Sequence, residues 1–301
     1  MITLGINTGF AVNRYAEPEV WADIIGTKLG LRYAQLTADL INVSLPDAII
    51  EKQAERIAGA CAKHNVQITS TFTGAFTRVN HLAHPDPDVR AYWVEWFKRF
   101  VDVSVRVGAS SMGSHFGIFT MQDDRDPGRR AERRAQNIEG WHEIGRYAKA
   151  KGLSFLSWEP MSITREQGET LAATRALQDD VNRGAPIPFR ICLDVDHGDL
   201  ASKNPDDTDP YAWLAAFAKD SCYIHLKQSS ANKGGHWPFT KAHNDSGRIR
   251  PGKVLGELRN QNVKHMELLL ELSFREREPA DSTVVEVLRE SVEYWREAVP
   301  G

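Results

Sequence analysis

The chain alternates eight times between a short apolar run and a longer amphipathic one. This constrains the fold more than any other feature, because strand-length apolar runs alternating with longer period-3.6 runs build successive βα units. "ITLGINT" (Ile2 to Thr8) reads as a first strand. "PEVWADIIGTKLG" follows it, with Val20, Ile24, Ile25 and Leu29 on one helical face and Gly30 to end it. "YAQLTAD" (Tyr33 to Asp39) is the second strand, and "LPDAIIEKQAERIAGACAKHN" is an amphipathic helix with Pro46 in its first turn. "VQITSTFT" (Val66 to Thr73), rich in β-branched residues, is the third. A polar loop leads from it to the helix "VRAYWVEWFKRFVDVSVRVG". "SSMGSH" (Ser110 to His115) is the fourth strand, separated by a charged loop from the helix around "NIEGWHEIGRYAKAKG". "LSFLSWEP" (Leu153 to Pro160) is the fifth, with a helix from about Arg165. "FRICLD" (Phe189 to Asp194) is the sixth, with a helix near "PYAWLAAFAK". "CYIHLKQ" (Cys222 to Gln228) is the seventh, followed by a long loop, Ser229 to Arg250, and a helix from Pro251. "HMELLLELS" (His265 to Ser273) is the eighth, and "STVVEVLRESVEYWREA" is the closing helix.

The strands read as continuous apolar runs, as expected where helices cover both faces of a parallel sheet. Eight such units within 301 residues predict an α/β fold, a (β/α)₈ TIM barrel. No linker, low-complexity tract or repeat divides the chain, so residues 1–301 read as a single domain.

Several function classes fall away. A net charge of -3 offers no basic footprint for nucleic acid. No run approaches the roughly 18 apolar residues of a membrane span. The opening "MITLGINTGF" lacks the charged and apolar regions of a signal peptide. Cys61, Cys192 and Cys222 are too few and too scattered for a disulfide framework or a CxxC site, which fits a reducing cytoplasm. A homo-oligomer is compatible with all of this.

In such a barrel the chemistry sits at the C-terminal ends of the strands. There the fifth strand ends at Glu159, the sixth at Asp194 with His197 three residues on, the seventh carries His225, and the eighth ends near Glu271. Taken singly, a strand glutamate reads as readily as an ion-paired core residue, and a lone histidine more readily as a satisfied interior one. Four such residues ending four successive strands are harder to dismiss. Charges inside apolar runs are expensive unless compensated, and a divalent metal compensates all four. Three carboxylates and an imidazole suit Mn²⁺ first, with Mg²⁺ or Co²⁺ as alternatives. Asp194 then binds metal and His197 faces the substrate. Asp196, Asp199, Asp206, Asp207 and Asp209 read as loop caps and solvated charges, and His64, His142 and His265 as structural.

"SWEP", "CLDVDHGD", "IHLKQ" and "LLLELS" resemble the strand-end motifs of the sugar phosphate isomerase/epimerase superfamily, the xylose-isomerase-like barrels. The resemblance implies one divalent metal held by Glu159, Asp194, His225 and Glu271, with His197 binding substrate. The arginine that commonly follows the strand-seven motif has no clean counterpart; Lys233 stands nearby instead. "LGINTGFAVNR", "SMGSHFG", "KQSSANKGGHWPF" and "ELSFREREP" more closely resemble the tetrulose-phosphate epimerases of erythritol catabolism. That implies epimerisation at C3 of erythrulose 1-phosphate, L to D.

The C3 proton of a 2-ketose is too weakly acidic for a free carboxylate, but a metal chelated by O2 and O3 would stabilise the enediolate. Glu159 and Glu271 could then act as acid and base on opposite faces of the sugar. An aldose–ketose isomerase or a free-ketose 3-epimerase would use the same intermediate, so the constellation leaves these open. For a phosphate, the sequence offers Lys227, Lys233 and Arg275, with Arg277 reading as surface charge. His115, His236 and Trp237 would wall the pocket. A barrel-type endonuclease would need more strand-end histidines and a basic face. A dehydratase would begin with the same proton abstraction, and a sugar-binding module would not need two glutamates at a metal.

Overall fold

The computed structural model describes residues 1–230 and 233–299, and the side chains of all of these except Lys233 and Gly234. Strands β1 (Ile2–Asn7), β2 (Tyr33–Thr37), β3 (Gln67–Phe72), β4 (Ser111–His115), β5 (Phe155–Glu159), β6 (Phe189–Asp194), β7 (Ser221–Leu226) and β10 (Met266–Leu270) close into a barrel in chain order. All its pairings are parallel, and β10 closes on β1 with Ile2 opposite Met266. Between β7 and β10, β8 (Gln228–Ser230) and β9 (Lys233–Trp237) form a separate antiparallel hairpin. The helices are α1 (Pro18–Asp23), α2 (Asp47–Lys63), α3 (Pro87–Arg106), α4 (Met121–Arg125), α5 (Pro127–Lys151), α6 (Leu171–Asn182), α7 (Pro210–Phe217), α8 (Lys241–Ser246), α9 (Pro251–Asn260) and α10 (Ala280–Arg296).

Strand alternation sorts the side chains into two cores. Ile6, Leu36, Leu156, Leu193, Ile224, Leu226, Leu268 and Leu270 belong to the large apolar cluster that also takes in the helices' buried side chains. The opposite parity supplies a small plug of Phe72, Cys192, Tyr223 and Leu269. Gly113 makes room for it: a Cβ there would lie 2.4 Å from the Phe72 ring and 2.2 Å from Ser157 Oγ. One step further along the same parity come Glu159, Asp194, His225 and Glu271. The period-two pattern that builds the plug therefore also aims the polar layer above it.

The structure departs from the sequence reading at several boundaries. The first helix passes from α1 into a π-helical turn, Ile24–Lys28. Trp21, not Val20, then shares the inner face with Ile24 and Ile25; Val20 is exposed. Pro46 is the N-cap of α2 rather than part of its first turn. Most of the stretch read as a charged loop before Asn137 is helix, in α4 and the start of α5. Asp126 caps α5 by accepting from Gly128 N and Arg129 N, and its charged first turns form ion pairs such as Arg134–Asp180. The helix expected from about Arg165 starts at Leu171, because Gln167 and Gly168 have φ of 67° and 77° and Thr170 caps the new start. The stretch read as a loop, Ser229 to Arg250, contains the end of β8, all of β9 and α8.

Candidate active site

Each of β5, β6, β7 and the end of β10 delivers one side chain to a single point. Glu159, Asp194, His225 and Glu271 offer one ligand atom each, all within 4.8 Å of one another. Nδ1 of His225 lies 3.1 Å from Glu159 Oε1 and 3.4 Å from Glu271 Oε1. The other nitrogen, Nε2, lies 2.7 Å from Gln35 Oε1. Gln35 is itself fixed: Asn7 Nδ2 donates to the same oxygen at 2.7 Å, and Gln35 Nε2 donates to Ser70 Oγ at 3.1 Å. A carbonyl oxygen only accepts, so Nε2 carries its hydrogen and Nδ1 is the nitrogen turned to the carboxylates. A fixed outer partner of this kind is how proteins prepare a histidine for metal. The donor set therefore fits a divalent cation.

The charges agree with that fit. Burial alone would push the His225 pKa down, but Glu271, Glu159 and Asp194 outweigh it and raise it to about 9. Burial would raise Asp194 and Glu271. His197 and Lys227 hold Asp194 low, and His225 and Lys227 hold Glu271 well below the usual carboxylate range. Three carboxylates thus meet Lys227 and the His225 imidazole at the centre, with His197 and His236 at the edge.

Lys227 is not where a phosphate contact was expected. It is buried, with Nζ against Asp194 Oδ2 and 3.2 Å from Glu271 Oε2. Its position two residues beyond His225 keeps it on the inward parity, so it joins the donor layer instead of the loop beyond.

Glu159 and Glu271 open into a cavity of about 550 Å³. His197 lines it. Nδ1 donates to Pro160 O at 2.9 Å, which leaves Nε2 free of that bond and 3.9 Å from Asp194 Oδ2. His115 lines it too, with Nε2 donating to Val79 O at 3.1 Å and burial pushing its pKa down to about 4. Behind it stands His81, its ring 4.2 Å away, held neutral chiefly by burial. His236 lines the wall with Nδ1 3.4 Å from Glu271 Oε2.

Other expected residues lie elsewhere. Trp237 is not among the lining residues; its ring lies 5.7 Å from that of His243. Arg275 is exposed and outside the lining, as is Arg277. Lys233 belongs to β9, but its side chain lies outside the described residues. Asp196 and Asp207 are not solvated charges. Asp196 accepts from Gly235 N at 2.9 Å and pairs with Arg248, tying the hairpin to the end of β6, while Asp207 accepts from Leu171 N at the start of α6. His64, His142 and His265 are structural as expected, each held by a local partner away from the cavity.

Sequence reasoning missed Arg14, Asp39, Arg78 and Asn7, all on the cavity wall. They come from the loops and strand ends of the barrel's first half, where no strand-end cluster drew attention. Gln35 was also missed. Its signal was the alternation Tyr33, Gln35, Thr37, which places a polar group inside the barrel.

Residues 27–298 match the xylose isomerase-like TIM barrel family. The chain is 44% identical over 295 residues to a Brucella abortus (strain 2308) protein named D-erythrulose 1-phosphate 3-epimerase, covering 98% of this chain and 95% of that protein. A Rhodospirillum rubrum ATCC 11170 structure named "Putative Xylose isomerase" superposes with a TM-score of 0.89 at 26% identity, covering all of both chains. A D-psicose 3-epimerase from Clostridium cellulolyticum H10 shares the fold at a TM-score of 0.69 and 13% identity, over 99% of this chain and 96% of that one. The chain is an isomerase-class enzyme and belongs to the xylose isomerase-like TIM barrel family.

Proposed function

We propose that this enzyme is a metal-dependent 3-epimerase of a short ketose phosphate, interconverting L- and D-erythrulose 1-phosphate. The observation that carries the reading is the pair of glutamates, one ending β5 and one following β10, that meet at His225 Nδ1. The name of the 44% identical relative supports the substrate.

Glu159, Asp194, His225 and Glu271 would hold the ion, with Mn²⁺ expected and Mg²⁺ or Co²⁺ fitting the same donors. When bound, the ion polarises the substrate carbonyl and stabilises charge developing beside it. Glu271, kept ionised by His225 and Lys227, is prepared to take the C3 proton from one face. Glu159 serves the other face. His197 is oriented by the Pro160 carbonyl and presents Nε2 to a substrate oxygen. His115, neutral and fixed through Val79 O, offers Nδ1 as an acceptor for a hydroxyl.

The deciding measurement is hydrogen exchange at C3 in heavy water, using Mn²⁺-loaded protein and erythrulose 1-phosphate. Deuterium at C3 of the product, lost with a chelator and restored by Mn²⁺, is expected. Formation of an aldose would replace this reading with an aldose–ketose isomerase.

A further inference from the structure

Arg14 follows β1 and lies on the cavity wall, with its side chain only 7% exposed. Nε donates to Asp281 Oδ1 in α10. Nη2 donates to Phe274 O at 3.0 Å and to Arg275 O, both in the segment after β10. Nη1 makes no hydrogen bond among the described residues. A guanidinium fixed through two nitrogens, with the third uncommitted beside a cavity, is a prepared anion donor.

The position suits a phosphate. In (β/α)₈ barrels the segments after the last strands commonly hold one. Phe274, whose carbonyl Arg14 grips, is three residues beyond the donor Glu271, so at most about 10 Å of chain separates them. Leu272, Ser273 and Phe274 line the cavity along that path. The other arginine on the wall, Arg78, is half-exposed and has both Nε and Nη2 committed to Glu166. Arg275, expected to contact the phosphate, instead contributes its backbone carbonyl to Arg14.

We propose that Arg14 is the phosphate anchor of the active site, gripping the ester of a short-chain sugar phosphate through Nη1 while the far end of the molecule meets the carboxylate layer. This rests on the ketose-phosphate reading above. It predicts that selectivity for phosphorylated over free sugar comes from the β1 loop rather than from the cations after β7 and β10.

The test compares wild type, Arg14→Met and Arg14→Lys on erythrulose 1-phosphate and on free erythrulose. Arg14→Met should lower kcat/KM for the phosphate ester by about ten- to a hundred-fold, the scale of a lost charged hydrogen bond, mostly through KM. The free sugar should change less than about three-fold, a margin below the scale of that bond. Arg14→Lys should recover part of the loss. Equal losses on both sugars would show that Arg14 only braces the loop, and an unchanged phosphate ester would place the anchor elsewhere; either result overturns the proposal. Inorganic phosphate separates this from the substrate reading. It should raise the Tm of wild type but not of Arg14→Met. If wild type ignores erythrulose phosphate yet keeps this protection, the anion subsite stands and the substrate assignment falls. If phosphate protects neither protein, the subsite itself is refuted.

Discussion

Nε2 of His225 lies 2.7 Å from the amide oxygen of Gln35, and this bond decides which nitrogen faces the carboxylates. Gln35→Leu keeps the volume but removes the acceptor. The ring can then turn or change tautomer, and Mn²⁺ affinity should fall by about ten- to a hundred-fold, as when an outer partner of a ligating histidine is lost. Calorimetric titration of the metal-stripped variant checks this. Undiminished affinity would mean that Nδ1 is not a ligand.

Metal binding should depend on pH with a definite sign. Without an ion, His225 keeps its proton up to about pH 9. An ion at Nδ1 must displace that proton. Affinity should therefore rise with pH through the neutral range and level off above about 9, with proton release on binding. Titration in buffers of different ionisation enthalpy counts the protons; none released at neutral pH would exclude His225 as a ligand.

The two glutamates should be separable by isotope. Glu159→Gln and Glu271→Gln should each cut turnover by about 10²- to 10⁴-fold, the usual scale of a lost acid–base group. Each variant keeps one base, so each should still wash the C3 hydrogen of one epimer into solvent, and the two variants should choose opposite epimers. Near-normal epimerisation by either variant defeats the two-base scheme.

Glu267 lies four residues before Glu271 on the same parity and accepts from Thr69 Oγ1 at 2.7 Å. Burial raises its pKa from 4.5 to about 7, against the opposing effect of that bond. A raised carboxyl pKa favours the protonated form in the fold. This contribution is intact at pH values below the unfolded pKa, declines as pH rises from about 4.5 to about 7, and is flat beyond. Glu267→Gln should remove this decline and gain up to about 3 kcal/mol relative to wild type at alkaline pH. Urea denaturation of both proteins at about pH 5 and about pH 8 tests the sign, and a variant less stable at the higher pH would contradict it.

The convergence of Glu159, Asp194, His225 and Glu271 could be read from sequence because alternation is local. A strand that buries Ser157 and Leu269 inward must also turn Glu159 and Glu271 inward. Arg14 could not be found that way. Its partners Phe274, Arg275 and Asp281 lie some 260 residues away and meet it only when β10 closes on β1. Lys227 was noticed but placed with the phosphate contacts of the loop, because a lysine just after a strand reads as part of that loop until its parity is followed. The early start of α5 was hidden for the opposite reason: its charged first turns lack an apolar stripe and are held by the Asp126 cap and ion pairs.

The plug of Phe72, Cys192, Tyr223 and Leu269 makes the cavity a cul-de-sac. Whatever enters by the mouth must leave by the mouth, so the next molecule waits for the last to depart. On the ketose-phosphate reading proposed above, the two epimers would share the phosphate grip and differ at a single carbon, so each would hold the other out almost equally well. Such an enzyme would slow as its product accumulates, and its net flux would be governed by whatever removes one epimer from solution.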